Sequence, residues 1–308
     1  MTGLRVAVSL GAVVVASCAR PSTHDLATDE AGEVAVEASP LPTRATDAPS
    51  PPPSSAGSTA LAEAPLAPSW SRGRVVETFG GRKPRAWGQD LEGVRASAPA
   101  SGKRDIALTF DACGGHGGDG YDEDLIAFLR REKVPATLFF TARWIETHPT
   151  IARDLARDPL FEIEDHGTAH RPCSVSGRAA YHIRGTRNAG EAFDEITGGR
   201  DAIVDLGAPL PRFYRPATGF FDDVCVDIAR ALALVPVGFA VNGDGGSGYS
   251  REDVRHAITS APSGAVVLLH MNHPRGQTAE GVRDAVTELS RRGVSFVLLR
   301  QMFPASER

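Results

Sequence analysis

Short apolar runs alternate with amphipathic stretches from about residue 104 to the C-terminus. The runs are Ile106–Phe110, Ala136–Thr141, Phe161–Ile163, Arg212–Tyr214, Val235–Val241, Ala265–Leu269 and Ser295–Leu299. Their richness in Val, Ile, Leu and Phe suits strands buried on both faces, as in a parallel sheet. Between them, Asp122–Arg131, Pro149–Arg157, Asn188–Asp205, Asp222–Leu234, Arg251–Ser260 and Thr278–Arg292 read as helices. This order predicts an α/β fold, either a parallel barrel or a doubly wound sheet. Residues 71–103 fit neither pattern, and Trp70 and Trp87 are expected to pack outside the barrel.

The first 70 residues look different. Arg5 precedes an apolar run, Val6–Ala16, too short for a bilayer-spanning helix but suited to the core of a signal peptide. It ends Val15-Ala16-Ser17-Cys18, which resembles the cleavage box of bacterial lipoproteins. Residues 1–17 are therefore expected to be removed and Cys18 lipidated. Ala19, in place of Asp, points to outer-membrane delivery of an exported lipoprotein. Residues 18–70 contain nine of the 22 prolines, and such a stretch cannot bury enough apolar surface to order itself. It reads as a tether about 40 Å across as a random coil.

Charge follows the same division. The whole chain has 33 basic and 38 acidic residues, a net −5. Residues 19–70 account for that imbalance, with seven acids against Arg20 and Arg44. The remainder is close to neutral, without the basic surplus that nucleic-acid binding requires. The sequence carries no indication of oligomeric state.

Nearly every unusual polar residue follows a predicted strand: Asp111, Asp165-His166, Arg215, Asn242 to Asp244, and His270 to His273. In parallel α/β folds the carboxyl ends of strands gather the active site. His166 and His170, four apart, can point at one divalent metal, zinc foremost. A carboxylate at Asp111 could instead cap a turn, and Arg215 could be a surface charge. His270, ending the apolar run Val266–Leu269, is costly unless something pairs with it or uses it. The run Gly114-Gly115-His116-Gly117-Gly118 lacks the Lys-Ser/Thr of a phosphate loop.

Together these residues resemble the polysaccharide deacetylase family, the NodB-homology or carbohydrate esterase 4 domain, over about 104–302. Thr109-Phe110-Asp111, His166 with His170, Arg215-Pro216 to Gly219, Asn242-Gly243-Asp244, and Leu268-Leu269-His270 stand where its five motifs would. The resemblance implies a distorted seven-stranded (β/α) barrel, a divalent metal and an N-acetylated polysaccharide substrate. It also implies roles: Asp111 as base, His270 as acid, His166 and His170 as ligands, and Leu268 in the acetyl pocket. Arg215 would orient Asp111, and Asp244, or else Asn242, would orient His270; His273 is an alternative acid.

Two departures stand out. The family's third ligand is an Asp at the position of Ala112, so either Asp111, His116, Asp119 or Cys173 completes the site, or the site has only the two histidines plus solvent. The fourth motif lacks its Trp, so one wall of the cleft must differ. These departures leave two alternatives, a glycan-binding domain without activity and a metal amidohydrolase for a small amide. Of the remaining cysteines, Cys173 and Cys225 are the favoured disulfide, with three reduced cysteines as the alternative.

Overall fold

The computed structural model describes residues 70–99, 102 and 104–305. The proposed signal peptide, Cys18 and the tether up to residue 69 lie outside the described residues.

Eight strands build the main sheet: β1 (Asp105–Ala112), β2 (Ala136–Phe140), β3 (Phe161–Asp165), β4 (Phe213–Tyr214), β5 (Val235–Pro236), β6 (Val241–Asn242), β7 (Val266–His270) and β8 (Ser295–Phe296). Seven run in the order β6-β7-β1-β2-β3-β4-β5, all pairings parallel, and curl into a half-barrel; β8 pairs with the start of β1. The NodB-type architecture is thus the observed one. Along β1 the side chains alternate as a strand must. Ile106, Leu108, Phe110 and Ala112 belong to the largest buried cluster, which also takes in the apolar faces of the helices. Residues of opposite parity, Thr109 and Asp111, are turned towards Arg215 in the hollow of the sheet.

The helices are α1 (Arg72–Phe79), α2 (Glu123–Glu132), α3 (Ala142–Thr147), α4 (Pro149–Arg157), α5 (Ala189–Asp205), α6 (Asp223–Ala231), α7 (Arg251–Thr259), α8 (Thr278–Arg291) and α9 (Leu299–Met302). Local chemistry sets several of their starts. Asp122 caps α2 by accepting from the Leu125 N–H, and Ser250 with Asp253 forms a capping box at α7. Pro149 sits in the first turn of α4, where its missing N–H costs nothing.

Three expectations need correction. The single strand expected over 235–241 is two, β5 and β6, on opposite edges of the sheet. Pro236 has no N–H to continue a ladder. Beyond it the chain crosses the open side, where the Gly238 N–H donates to Arg95 C=O. The run 295–299 is a strand only to Phe296, after which α9 begins. Residues 71–103 are more than an outer layer. Arg95 bridges Val237, just past β5, and Ser97 bridges Ala265, just before β7, so this segment ties the two ends of the half-barrel sheet together. Trp70 packs on Phe79, and Trp87 pairs with Asp222 and packs on Phe220.

Candidate active site

The carboxyl ends of the strands open into a cavity of 810 Å³. Its lining includes Asp111, Cys113, His170, Leu268, His270 and His273.

Asp111, at the end of β1, is buried, and Arg215 Nη1 donates to its Oδ1 at 2.8 Å. Arg215 is wholly buried. It also donates to Thr109 Oγ1 and Gly238 C=O, and its guanidinium lies 4.3 Å from the centre of the Phe139 ring. Burial pulls the guanidinium below its ordinary pKa, against the pull of Asp111. The other Asp111 oxygen is 3.6 Å from His166 Nε2.

His166 follows β3, and its Nδ1–H donates to the Arg215 carbonyl at 2.7 Å. That bond selects the tautomer that leaves the Nε2 lone pair free. Burial disfavours the imidazolium, but Asp111 and Cys113 outweigh it and raise the His166 pKa. His170 lies further along the same loop, its ring 5.2 Å from that of His166. Its φ of 60° is left-handed, a conformation uncommon for a side chain that is neither Gly nor Asn. The loop is held against α5: Glu195 Oε1 accepts from the Ala169 and Arg171 N–H groups on either side of His170. Gly199 of α5 permits this approach, since a Cβ there would meet Asp165 Oδ1 at 2.2 Å and the Gly167 carbonyl carbon at 2.7 Å.

Across the cavity, His270 ends β7, and its Cα is paired with that of Asp111 on the adjacent strand. Its Nδ1–H donates to Asp244 Oδ1 at 2.9 Å, and its backbone N–H to Oδ2 at 2.7 Å. Asp244 is fully buried and also accepts from Thr278 Oγ1 and the Gly246 N–H. Burial works against both charges, but the pairing prevails: His270 is raised well above its ordinary value and Asp244 is lowered. Asn242 does not share this role, since its side-chain oxygen accepts from the Gly245 N–H. His273, 6.1 Å from His270 ring to ring, is lowered by burial and by that neighbour. Leu268 lines the cavity beside them.

Among the described residues, none of those suggested as a third ligand joins His166 and His170 in one cluster of potential ligand atoms. Cys173 is bonded to Cys225, in a disulfide that ties the loop after His170 to α6. His116 and Asp119 are exposed, and Asp111 is held by Arg215. Instead, Cys113, His166 and His170 bring one potential ligand atom each to within 4.8 Å of one another. Imidazole and thiolate are good donors for a divalent transition metal, so the residues present fit such an ion. Cys113 is the one free cysteine among the described residues. Burial opposes its ionisation, yet His170, His166 and His270 together hold its thiol well below the ordinary value.

Tyr181 and His182 also escaped the sequence reading. They form the two-residue turn of a hairpin between Ala179–Ala180 and Ile183–Arg184, both with positive φ. Tyr181 is 70% exposed and lines the cavity, edge-on to Phe220.

Residues 98–237 match the family model described as polysaccharide deacetylase. Over those residues the domain is similar to polysaccharide deacetylases. Among its relatives, a chitooligosaccharide deacetylase of Bradyrhizobium sp. (strain ANU 289) is 26% identical over 218 residues, 68% of this chain and 87% of that protein. The uncharacterized protein YlxY of Bacillus subtilis is 24% identical over 179 residues, 57% of this chain; the match spans about half of YlxY, 51%. Among solved structures, BA3943 of Bacillus anthracis, a CE4 family pseudoenzyme, superposes with a TM-score of 0.57 at 20% identity, covering 70% of each chain. That likeness carries the fold alone.

Proposed function

We propose that this deacetylase-like domain is a metal-dependent hydrolase that removes N-acetyl groups from an envelope or extracellular polysaccharide, peptidoglycan or an N-acetylglucosamine polymer. The observation that carries the reading is the placement of two partnered titratable groups, Asp111 with Arg215 and His270 with Asp244, at paired positions on adjacent strands of one cavity.

His166 and His170 would hold the divalent ion, most simply Zn²⁺. When bound, such an ion polarises an amide carbonyl and acidifies a neighbouring water. Asp111, held in place by Arg215, takes the proton of the attacking water as general base. His270, whose proton is stabilised by Asp244, delivers one to the departing sugar amine. Amines leave poorly unless protonated, so an acid that holds its proton at neutral pH suits this step. Leu268 offers an apolar contact to the acetyl methyl.

Acetate release from N-acetylglucosamine oligomers and from peptidoglycan, with zinc, cobalt or nickel supplied, tests the reading. Release that a chelator stops and metal restores is the expected result. Glycan binding without release under any of these conditions would mean a binding domain, and faster cleavage of a small soluble amide would mean an amidohydrolase.

Lipidation at Cys18 and outer-membrane anchoring belong to the same proposal, supported by the cleavage-box sequence. Metabolic labelling with a radioactive fatty acid should mark the chain in a bacterial host and fail to mark Cys18→Ala. Equal labelling of both would remove the anchor from the account.

A further inference from the structure

Two imidazoles alone leave a metal centre short of protein ligands, and the position where the family has a carboxylate is Ala112. The alternation of β1 explains why a ligand there would be wasted in this chain. Ala112 is fully buried with Ile106, Leu108 and Phe110 in the layer under the helices, away from the cavity. Asp111 and Cys113 have the opposite parity, and both line the cavity.

Cys113 Sγ lies 3.8 Å from His166 Nε2, the nitrogen left free by the Nδ1–H bond to Arg215. A tetrahedral zinc with bonds of about 2.3 Å to sulfur and about 2.0 Å to nitrogen separates those two atoms by about 3.5 Å. The observed spacing is close to that of two ligands on one ion. A His170 ring nitrogen completes the set within 4.8 Å. The segment carrying the sulfur is itself fixed: Arg143 Nη2 donates to the Cys113 and Gly114 carbonyls, and Thr141 Oγ1 donates to Cys113 C=O.

We infer that Cys113 is the third protein ligand of the metal centre, a thiolate standing in for the carboxylate that Ala112 cannot supply. A thiolate carries the same charge as a carboxylate but is a softer donor. The centre should therefore favour zinc or cobalt over magnesium or manganese. Three protein ligands also match the usual count of a catalytic zinc site, in which a fourth position is kept for water or substrate.

The same sulfur has a second conceivable use. His270, oriented by Asp244, lines the same cavity as Cys113, as a base beside a cysteine nucleophile would. The pair His166 and His170 has no part in such a triad, whereas both are accounted for by ligation. Metal binding, not covalent catalysis, is the use that gives both His166 and His170 a part.

The inference rests on reading the site as a metal centre but not on the substrate, and its test does not involve turnover. The full chain is stripped of metal and titrated with Co²⁺, following bound cobalt and the near-ultraviolet absorption. One cobalt per chain with a thiolate-to-cobalt charge-transfer band is expected. Cys113→Ser should lose the band and bind cobalt more weakly by at least the order of a hundredfold, beyond the loss typical for residues that only support a ligand. Cys113→Asp should recover binding without the band, which separates ligation from a folding defect. No band in the parent chain, or a band that survives in Cys113→Ser, overturns the inference. So does an acetyl group on Cys113 after the metal-free chain is incubated with an acetylated oligomer, since that marks a nucleophile. Acetate release that depends on metal while the band is absent would overturn this assignment and leave the proposed function standing.

Discussion

At the scale of single residues, the buried Arg215–Asp111 pair organises the site. Its guanidinium serves a carboxylate, a hydroxyl, a carbonyl and an aromatic face, and its own carbonyl fixes the tautomer of His166. Removing one partner of a buried ion pair leaves an uncompensated charge, which typically costs about 3–5 kcal/mol. Arg215→Ala should therefore lower the unfolding free energy by about that much in urea titrations, whereas Arg215→Ala combined with Asp111→Asn should recover part of the loss. A single variant as stable as the parent would contradict this account of the pair. Asp111, Arg215 and His270 could be found in sequence because each follows an apolar run, where a titratable side chain needs a reason to be, and His166 because it stands four residues from His170. Cys113 is not legible as a ligand from the family pattern, because that pattern places the ligand at the position of Ala112. Counting strand parity from Asp111 would have picked out residue 113.

At the scale of elements, the short helices at Arg72–Phe79, Ala142–Thr147 and Leu299–Met302 were not legible, while the six expected helices are there. Pro149, Asn188 and Ser250 mark their starts by local chemistry, and a one-dimensional pattern records that directly. The break between β5 and β6 was not legible, because it depends on which sheet edge each half pairs with. The hairpin at Tyr181 was equally hidden, since turns of this type usually advertise themselves with Asn-Gly. Here Tyr181 and His182 take φ of 48° and 64° without a glycine. Strain of roughly 1 kcal/mol or more per such residue persists only where surroundings enforce it, and it gathers at functional sites. The exposed Tyr181 ring at the cavity rim suits stacking on the apolar face of a sugar, and it supplies an aromatic wall in a chain whose fourth motif has no Trp. Tyr181→Ala should raise KM for acetylated oligomers several-fold with little change in kcat, and Tyr181→Phe should restore it. An unchanged KM in the alanine variant would remove this wall from the account.

At the scale of the whole molecule, a near-neutral domain carries its titratable machinery buried, so pH should act through a few groups. His270 is raised and Asp244 lowered by their mutual attraction. The stabilisation from the raised histidine is fully present below its unfolded value near 6.5 and is lost as pH rises through the folded one. That from the depressed aspartate is present above its unfolded value near 3.8 and is lost as pH falls through the folded one. Their joint contribution is therefore greatest between about pH 4 and 6.5. Melting temperatures of the metal-free domain should show Asp244→Asn most destabilised relative to the parent in that window. A difference independent of pH would mean that the pair is not charged. The order of strands and motifs was readable because it is set by local patterning along β1, β3, β4 and β7. The stitching of the half-barrel by Arg95 and Ser97 was not, because those bridges follow from three-dimensional proximity alone.

The central claim is that Asp111 and His270 work as base and acid on an acetylated glycan across one cavity. Acetate release from an N-acetylglucosamine oligomer, measured for the metal-loaded parent chain and for Asp111→Asn side by side, tests it most directly. The account predicts metal-dependent release by the parent and a fall of about 10²- to 10⁴-fold in the variant, the usual worth of a general base. Equal rates for the two, or no release by the metal-loaded parent, would contradict it.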